Sequence, residues 1–204
     1  YSFQEVVWFR LTTHLVLMCI VFLPSRGTAL FRTKAPVQQT ICSLGLLGAT
    51  FFFFSAAKDV GVTEAIAISF VSPLIVTLLA WPVLGERITA ARLSSVLLGF
   101  AGVMIVIRPG TSVFQWASLF IVASAASYAV YQIIVRRVAA VDSPATTAFY
   151  SSLGCTLVAS AIVPFNWRTP DNWVDVAMML SLGFFGGFGH YRVARACGVK
   201  VLRF

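Results

Sequence analysis

Seven long apolar runs, separated by short polar connections, dominate the pattern of hydrophobic and polar positions in this chain. A helical run of about 20 apolar residues crosses the hydrocarbon core of a bilayer. Each run approaches that length except the fourth, which has 15 residues. We therefore predict seven membrane-spanning helices, over Val6–Leu23, Gln38–Ala57, Ala65–Leu84, Leu93–Ile107, Val113–Val135, Pro144–Phe165 and Trp173–Tyr191.

The third run is interrupted in its middle by Ser72 and Pro73. Proline has no backbone N–H, so Pro73 leaves the carbonyl of Ser69 without its usual helical partner. Interrupted spans of this kind point to the binding region of a transporter, and the hydroxyls of Ser69 and Ser72 could bind a substrate there. The alternative is a kink whose backbone is satisfied by Ser72 or by a neighbouring helix.

The composition supports a membrane protein. Hydrophobic residues make up 59% of the chain and charged residues only 11%, whereas soluble domains carry roughly 25% charged residues. The predicted fold class is therefore an all-α, polytopic membrane bundle. The four cysteines have neither disulfide nor zinc spacing, so we predict no metal and no cofactor.

The net charge of +8 does not indicate nucleic-acid binding, because the cations lie in separate short loops. Placing alternate loops on opposite sides puts 11 of the 15 Lys and Arg residues on one side. The positive-inside rule then makes that side cytoplasmic, with Tyr1 outside and Phe204 inside. The cytoplasmic cations are Arg26, Arg32, Lys34, Arg87, Arg92, Arg136, Arg137, Arg192, Arg195, Lys200 and Arg203.

A weak internal repeat divides the chain. The string Ser43–Gly48 recurs as Ser181–Gly186, and Pro24 and Phe9 correspond to Pro164 and Phe149. The copies are five spans apart, so they have opposite orientations, as in inverted-repeat transporters. We expect a first repeat over residues 1–110 and a second over 111–204. One helix would be missing before Tyr1 and two after Phe204, so the chain would contain seven of an inferred ten helices.

The residues between Ala56 and Gly110 resemble the EamA family of the drug/metabolite transporter superfamily. The matching pieces, in order, are Ala56–Ala65, Ser72-Pro73, Leu84–Arg87, Gly99–Val103 and Arg108–Gly110. The resemblance implies ten helices in two inverted repeats, in the bacterial inner membrane. It also implies transport of small metabolites, which are amino acids, other amphipathic molecules or, in one branch, S-adenosylmethionine. The strings Phe51–Phe54 and Glu64–Phe70 look closest to that last branch.

Uncharged polar and aromatic side chains mark the fifth run. Ser124, Tyr128 and Tyr131 share a helical face that Gln132 borders. Such a stripe is typical of a cavity wall that stacks on or hydrogen-bonds a substrate, and the resemblance implies that this helix lines the central cavity. An interfacial tyrosine belt or interhelical hydrogen bonding is the alternative.

Charged and titratable residues in or near the spans give further candidates. Glu64, preceded by a potential capping residue Thr63, suits the positive end of a helix; otherwise it would contact a cationic substrate or a proton. Arg10 and His14 lie one turn apart in the first run. Arg10 is either a structural anchor or a charge contact for a substrate or anion. His14 is either a hydrogen-bonded packing residue or part of a proton relay. Glu5 could neutralise Arg10.

His190 follows four glycines of the last run, of which Gly183 and Gly187 form a pair for close helix approach. The resemblance implies that His190 lines the cavity. Arg192 and Arg195 then follow where an apolar helix is expected. Either the span ends early, or the chain leaves its native frame near Arg192.

The leading functional hypothesis is a secondary transporter that works by alternating access, with a small-molecule substrate and a surrounding lipid bilayer as partners. The sequence contains no Walker motif that would indicate an ATPase. It also contains no cluster of catalytic residues that would indicate an enzyme. An inactive truncated remnant or a non-transporting membrane subunit is the alternative, and a homodimer remains open as the oligomeric state.

Overall fold

The regular elements are helices throughout the part of the chain that the computed structural model describes, residues 1–85, 89–107, 116–170 and 172–201. This confirms the prediction of an all-α fold. Short 3₁₀ turns, Gly27–Phe31 and Val163–Asn166, follow two of the helices. The helices are α1 (Phe3–Arg26), α2 (Pro36–Val60), α3 (Val62–Ser69), α4 (Ser72–Leu84), α5 (Ala90–Ile107), α6 (Ala117–Val138), α7 (Pro144–Ile162) and α8 (Trp173–Val201).

Within the described residues, five helical segments are long and apolar enough to cross a membrane, namely Phe3–Phe31, Pro36–Val60, Val62–Leu84, Ala117–Val138 and Pro144–Phe165. These segments agree with a polytopic helical bundle, and the predicted spans Leu93–Ile107 and Trp173–Tyr191 are not among them. The apolar part of α5 is short, Leu93–Ile105, and the many glycines of α8 with His190 dilute its apolar character. The predicted start of the fifth span, Val113, and the turn Arg108–Gly110 lie outside the described residues.

The predicted break in the third span is confirmed. Helix α3 ends at Ser69 and α4 starts at Ser72, which places Pro73 in the first turn of α4. A first-turn proline loses no helical hydrogen bond, because the N–H groups there have no partner within the helix. Between the helices, the Val71 N–H donates to the Ile68 carbonyl at 3.0 Å. The chain thus accommodates Pro73 by ending one helix and starting another.

Local sequence signals account for several of the helix ends. Ser143 caps α7 by accepting the Thr146 N–H at 3.1 Å, and Pro144 follows in the first turn. Gly85 ends α4 with a left-handed φ of 71°. The suggested cap of α3 is wrong: Gly61, with φ of 91°, is the N-cap, and Thr63 lies inside the helix. Glycine is favoured at positions with a positive φ because it has no Cβ.

The described chain separates into two compact units. The first contains Tyr1–Leu44 and Ile134–Phe204, and the second contains Gly45–Ile133. In the first unit, α1, α7 and α8 pack on one another around Leu30, Ala145 and Phe149. In the second unit, α5 packs on α3 and α4, and small and branched side chains fill the core: Ala56, Ala57, Val60, Ala65, Ile68, Val71, Val103, Ile121 and Ala125.

The basic tail continues α8. The helix runs through Arg192 and Arg195 to Val201, so it does not end near Tyr191. The Arg192 guanidinium lies over the Phe188 ring, 5.7 Å from its centroid, within the range of a cation–π contact. A change of reading frame near Arg192 stays a prediction.

Candidate functional site

The predicted site residues lie in both units and form a separate cluster in each. The second unit contains the residues of the broken span and of α6: Glu64, Ser69, Ser72, Pro73, Tyr128, Tyr131 and Gln132. The first unit contains Arg10, His14 and His190.

Ser72 and Gln132 come together beside the helix break. The Gln132 amide Nε2 donates to the Ser72 Oγ at 3.5 Å, a long hydrogen bond, and Ser72 is buried. Helices α4 and α6 are held at this point by four small or branched apolar residues, Val76, Ala80, Ala129 and Ile133. Apolar packing therefore places an uncharged donor and acceptor at the start of α4.

Tyr128, one helical turn before Gln132, and Tyr131, directly before Gln132, form a stacked pair. Their ring centroids are 5.6 Å apart and their planes are inclined by 23°. Tyr131 is fully buried, and Tyr128 is half-buried. Gly45 of α2 lets the backbone approach Tyr131, because a Cβ there would lie only 3.2 Å from the Tyr131 Cβ. The structure thus leaves part of one ring accessible and encloses the other.

The hydroxyl groups of Ser124 and Ser69 donate hydrogen bonds to backbone carbonyls. Ser124 Oγ donates to the Ala49 carbonyl at 2.6 Å and so ties α6 to α2. Ser69 Oγ donates to the Ala65 carbonyl at 2.8 Å within its own helix. Pro73 itself has an exposed ring, so its contribution is the helix break rather than a buried contact.

Glu64 lies in the first turn of α3 and is exposed. Its carboxylate folds back toward Gly61, since a Cβ on Gly61 would lie 2.6 Å from Glu64 Oε2. This position matches the predicted preference of a carboxylate for the positive end of a helix. A substrate or ion contact at Glu64 stays a prediction.

In the first unit, His14 and His190 stack across the α1–α8 contact, with centroids 5.7 Å apart. Both histidines are buried. The glycines of α8 make this contact close: a Cβ on Gly183 would lie 2.4 Å from the Thr13 Cβ, and one on Gly186 would lie 3.2 Å from Arg10 Nε. The predicted close approach at Gly183 and Gly187 is confirmed, and the space beside Arg10 and His14 is filled by α8 backbone.

Two buried carboxylates, Glu5 and Asp142, have partners that the sequence analysis did not predict. Glu5 was considered only as a neutralising partner of Arg10, and Asp142 was not a candidate. Glu5 accepts the Ser2 N–H at 2.9 Å, and Ser2 Oγ accepts the Glu5 N–H at 3.3 Å. This is the reciprocal capping box that Ser-x-x-Glu predicts, so the signal was present at Ser2. Glu5 also accepts the backbone N–H of Arg168.

Asp142 has no such local signal, because its partners are distant in sequence. It accepts the Lys34 N–H at 2.9 Å, the Gln39 Nε2 at 2.9 Å and the Thr33 hydroxyl. Burial alone raises the pKa of Asp142, but these hydrogen bonds and the Lys34 charge outweigh it, so the pKa lies below its ordinary value.

One open cavity of about 460 Å³ lies in the first unit, lined by Tyr1, Ser2, Phe165, Trp167 and Arg168. None of the predicted substrate-binding residues is among these lining residues. Over the described ranges, no group of three His, Cys, Asp or Glu side chains could hold a metal ion.

The chain matches the model of the EamA-like transporter family over residues 1–108. It is 28% identical to a riboflavin transporter of Vibrio cholerae, over 88% of this chain and 62% of that protein. An S-adenosylmethionine uptake transporter of Rickettsia prowazekii is 26% identical over 90% of this chain and 62% of its own length. An aromatic amino acid exporter of Ancylobacter novellus is also 26% identical, over 76% of this chain and 57% of its own.

The chain thus spans about three fifths of the length of these curated relatives. No solved structure matches it significantly. The family match covers more than half of the chain and agrees with the apolar helices, which support an integral membrane protein. This chain belongs to the EamA-like transporter family.

Proposed function

We propose that this chain acts in a secondary carrier that moves a small metabolite across the bacterial inner membrane by alternating access. The family match and the names of the relatives support a transporter rather than an enzyme. The energy would come from the gradient of the substrate or of a proton. One helix bundle would rock against another around a central cavity between the two repeats, residues 1–110 and 111–204.

The observation that carries this proposal is the uncharged polar and aromatic cluster at the helix break. Ser72 and Gln132 are hydrogen-bonded beside the start of α4, and Tyr128 and Tyr131, which precede Gln132 on α6, stack on each other. Both helices lie in segments apolar enough to span a membrane. Polar groups are costly in such segments. A cluster of polar side chains that do more than bond to the backbone of their own helix therefore favours a substrate-binding role.

The substrate class that fits best is a metabolite with a planar ring. The relatives are named for riboflavin, S-adenosylmethionine and aromatic amino acids, and each of these compounds carries a planar aromatic group. Tyr128 offers part of its ring for stacking, while the buried Tyr131 holds that ring in place. Ser72 and Gln132 would bind polar edges of the same molecule, and Glu64, Arg10, His14 and His190 are kept as candidate charge contacts.

The proposed orientation places Tyr1 outside and Phe204 in the cytoplasm, because most Lys and Arg residues then lie inside. The connection that contains Lys34 would be cytoplasmic, and the one that contains Arg168 would face outward. Both residues are exposed, so chemical labelling can test this orientation.

The test of function is flux into vesicles that contain the complete gene product. Radiolabelled S-adenosylmethionine, riboflavin and phenylalanine are the probes, each with an excess of unlabelled competitor. Saturable uptake of one probe, reduced in Gln132→Ala but not in Phe120→Ala, would support the carrier. A folded protein that transports none of the three under a substrate or proton gradient would contradict this proposal and favour the remnant or the non-transporting subunit.

A further inference from the structure

Helices α1 and α7 form an antiparallel pair, and the turn that follows each helix packs on the other helix. The 3₁₀ turn after α1 packs on α7, and the 3₁₀ turn after α7 packs on α1. The contacts fix the direction: Phe31 after α1 meets Phe149 near the start of α7, and Trp8 near the start of α1 reaches Ser160 near the end of α7. If both helices span the membrane, the two ends of the pair lie at its opposite faces.

One end of the pair is fastened by Glu5. Only 1% of this residue is exposed, and its carboxylate accepts the backbone N–H of Arg168, which follows α7. Ser2 donates to the same carboxylate from its N–H and its hydroxyl, at 2.9 and 3.1 Å. We call Ser2, Glu5 and Arg168 the Glu5 clasp.

Asp142 fastens the other end. It precedes the N-cap of α7, and its carboxylate accepts the backbone N–H of Lys34, which follows α1. Thr33 and Gln39 donate to the same carboxylate. We call Thr33, Lys34, Gln39 and Asp142 the Asp142 clasp.

The two clasps have the same design. In each, a buried carboxylate at the start of one helix accepts the backbone N–H of a basic residue in the connection that follows the other helix. The aromatic contacts repeat as well. Phe9 stacks on Trp167 with centroids 6.1 Å apart, and Phe149, at the corresponding position, meets Phe31 at 5.1 Å.

A buried carboxylate is costly to leave without donors, and bonds from N–H groups to an ionised acceptor are among the strong hydrogen bonds of proteins. Each clasp therefore resists separation of the connection from the helix start that it holds. Because the two clasps lie at opposite ends of the pair, opening one leaves the other in place. Relative tilting of α1 and α7 would require at least one of them to break.

The geometry points to Glu5 and Asp142 as positioning residues of two equivalent clasps that hold α1 and α7 together as one two-helix body throughout the transport cycle. The change of access then takes place at other helix contacts. The statement about the transport cycle rests on the proposed function, whereas the clasps themselves do not.

Hydrogen–deuterium exchange of the complete gene product tests the clasps without any substrate. In Asp142→Ala, the Lys34 amide should exchange about tenfold faster or more, the effect of losing a hydrogen bond to a charged group. The Arg168 amide should keep its protection, and Glu5→Ala should give the reverse result. Asp142→Asn and Glu5→Gln replace the alanine variants if those do not fold. Unchanged exchange at the amide of the altered clasp would overturn the inference.

Cross-linking tests the single body during transport. In a background without the natural cysteines, Phe31→Cys with Phe149→Cys and Trp8→Cys with Ser160→Cys are joined by a short reversible thiol linker. Flux that is the same before and after linking supports the inference. Flux that stops on linking and returns on reduction overturns it, because α1 and α7 must then move apart. If the unlinked protein shows no flux at all, the proposed function fails, and the exchange data still decide on the clasps.

Discussion

His14 of α1 and His190 of α8 stack with their ring planes only 20° apart. Glycine backbone makes this contact possible, because a Cβ on Gly187 would lie 2.8 Å from His14 Cδ2. Nε2 of His14 has no hydrogen-bond partner within the described ranges. The geometry therefore explains why α8 carries small residues opposite Arg10 and His14, and it supports a packing contribution of the histidines.

Gly187→Ala should destabilise the α1–α8 contact. The added methyl group overlaps His14, and overpacking of this kind costs about 1–3 kcal/mol. Gly189→Ala is the matched control, because a Cβ there meets nothing within 4 Å and alanine favours the helix. Thermal unfolding in detergent should show a lower midpoint for Gly187→Ala alone. Equal midpoints for both variants would contradict the close contact.

Tyr128→Ala should raise the KM for transport of a substrate with a planar ring. Losing a stacking partner costs about 0.5–1.5 kcal/mol, which corresponds to a roughly two- to tenfold increase in KM at 1.4 kcal/mol per factor of ten. Tyr128→Phe keeps the ring and should change KM much less.

The control for Tyr128 is Phe120→Ala, which removes a half-exposed ring from the same helix. Initial rates of flux over a range of probe concentrations give the comparison. An equal change in KM for Tyr128→Ala and Phe120→Ala would argue against a stacking role for Tyr128.

Asp142→Asn should lower stability at neutral pH by about 2 kcal/mol, because the charged acceptor of three donors is lost. The pKa of Asp142 is lower in the folded protein than its ordinary value of 3.8. Its stabilising contribution is therefore complete above that value and disappears as the pH falls through the lower folded value. The difference between the wild type and Asp142→Asn should thus persist from pH 7 to 5 and shrink below the ordinary value.

Unfolding midpoints measured across this pH range test the prediction, with Asp59→Asn at an exposed position as the control. A constant difference between the wild type and Asp142→Asn down to the most acidic pH at which the protein stays folded would be evidence against an ionised Asp142.

Cysteines at positions 34 and 168 should be labelled from opposite sides of the membrane. The Lys34→Cys variant should react with an impermeant thiol reagent only after the membrane is opened, and Arg168→Cys should react in intact cells. Both replacements keep the backbone N–H that each clasp uses. Labelling of both positions from the same side would contradict the proposed topology.

Agreement between sequence and structure is best where the physics is local. Pro73 lacks an N–H, so the third span must be interrupted near Ser72, and the structure ends α3 at Ser69 and starts α4 at Ser72. The cap of α7 at Ser143 follows from the same kind of short-range chemistry. The prediction of Thr63 as the cap of α3 is wrong, because Gly61 adopts a positive φ and caps the helix two residues earlier.

The candidate site was predicted in part. The face shared by Ser124, Tyr128 and Tyr131, which Gln132 borders, follows from helical periodicity. The choice of Ser72 rather than Ser69 as the partner of Gln132 does not. Ser69 satisfies its hydroxyl within its own helix. The hydrogen bond between α4 and α6 depends on how their apolar faces interlock.

The sequence by itself determined the helical membrane class, the positions of most helices and the break at Pro73, because bilayer thickness and proline chemistry act over short stretches of chain. The partners of the buried carboxylates were decided only by the tertiary structure. Glu5 binds the amide of Arg168, and Asp142 binds that of Lys34, over more than a hundred residues in each case. No local pattern encodes such pairs, because they exist only once α1 and α7 have packed antiparallel.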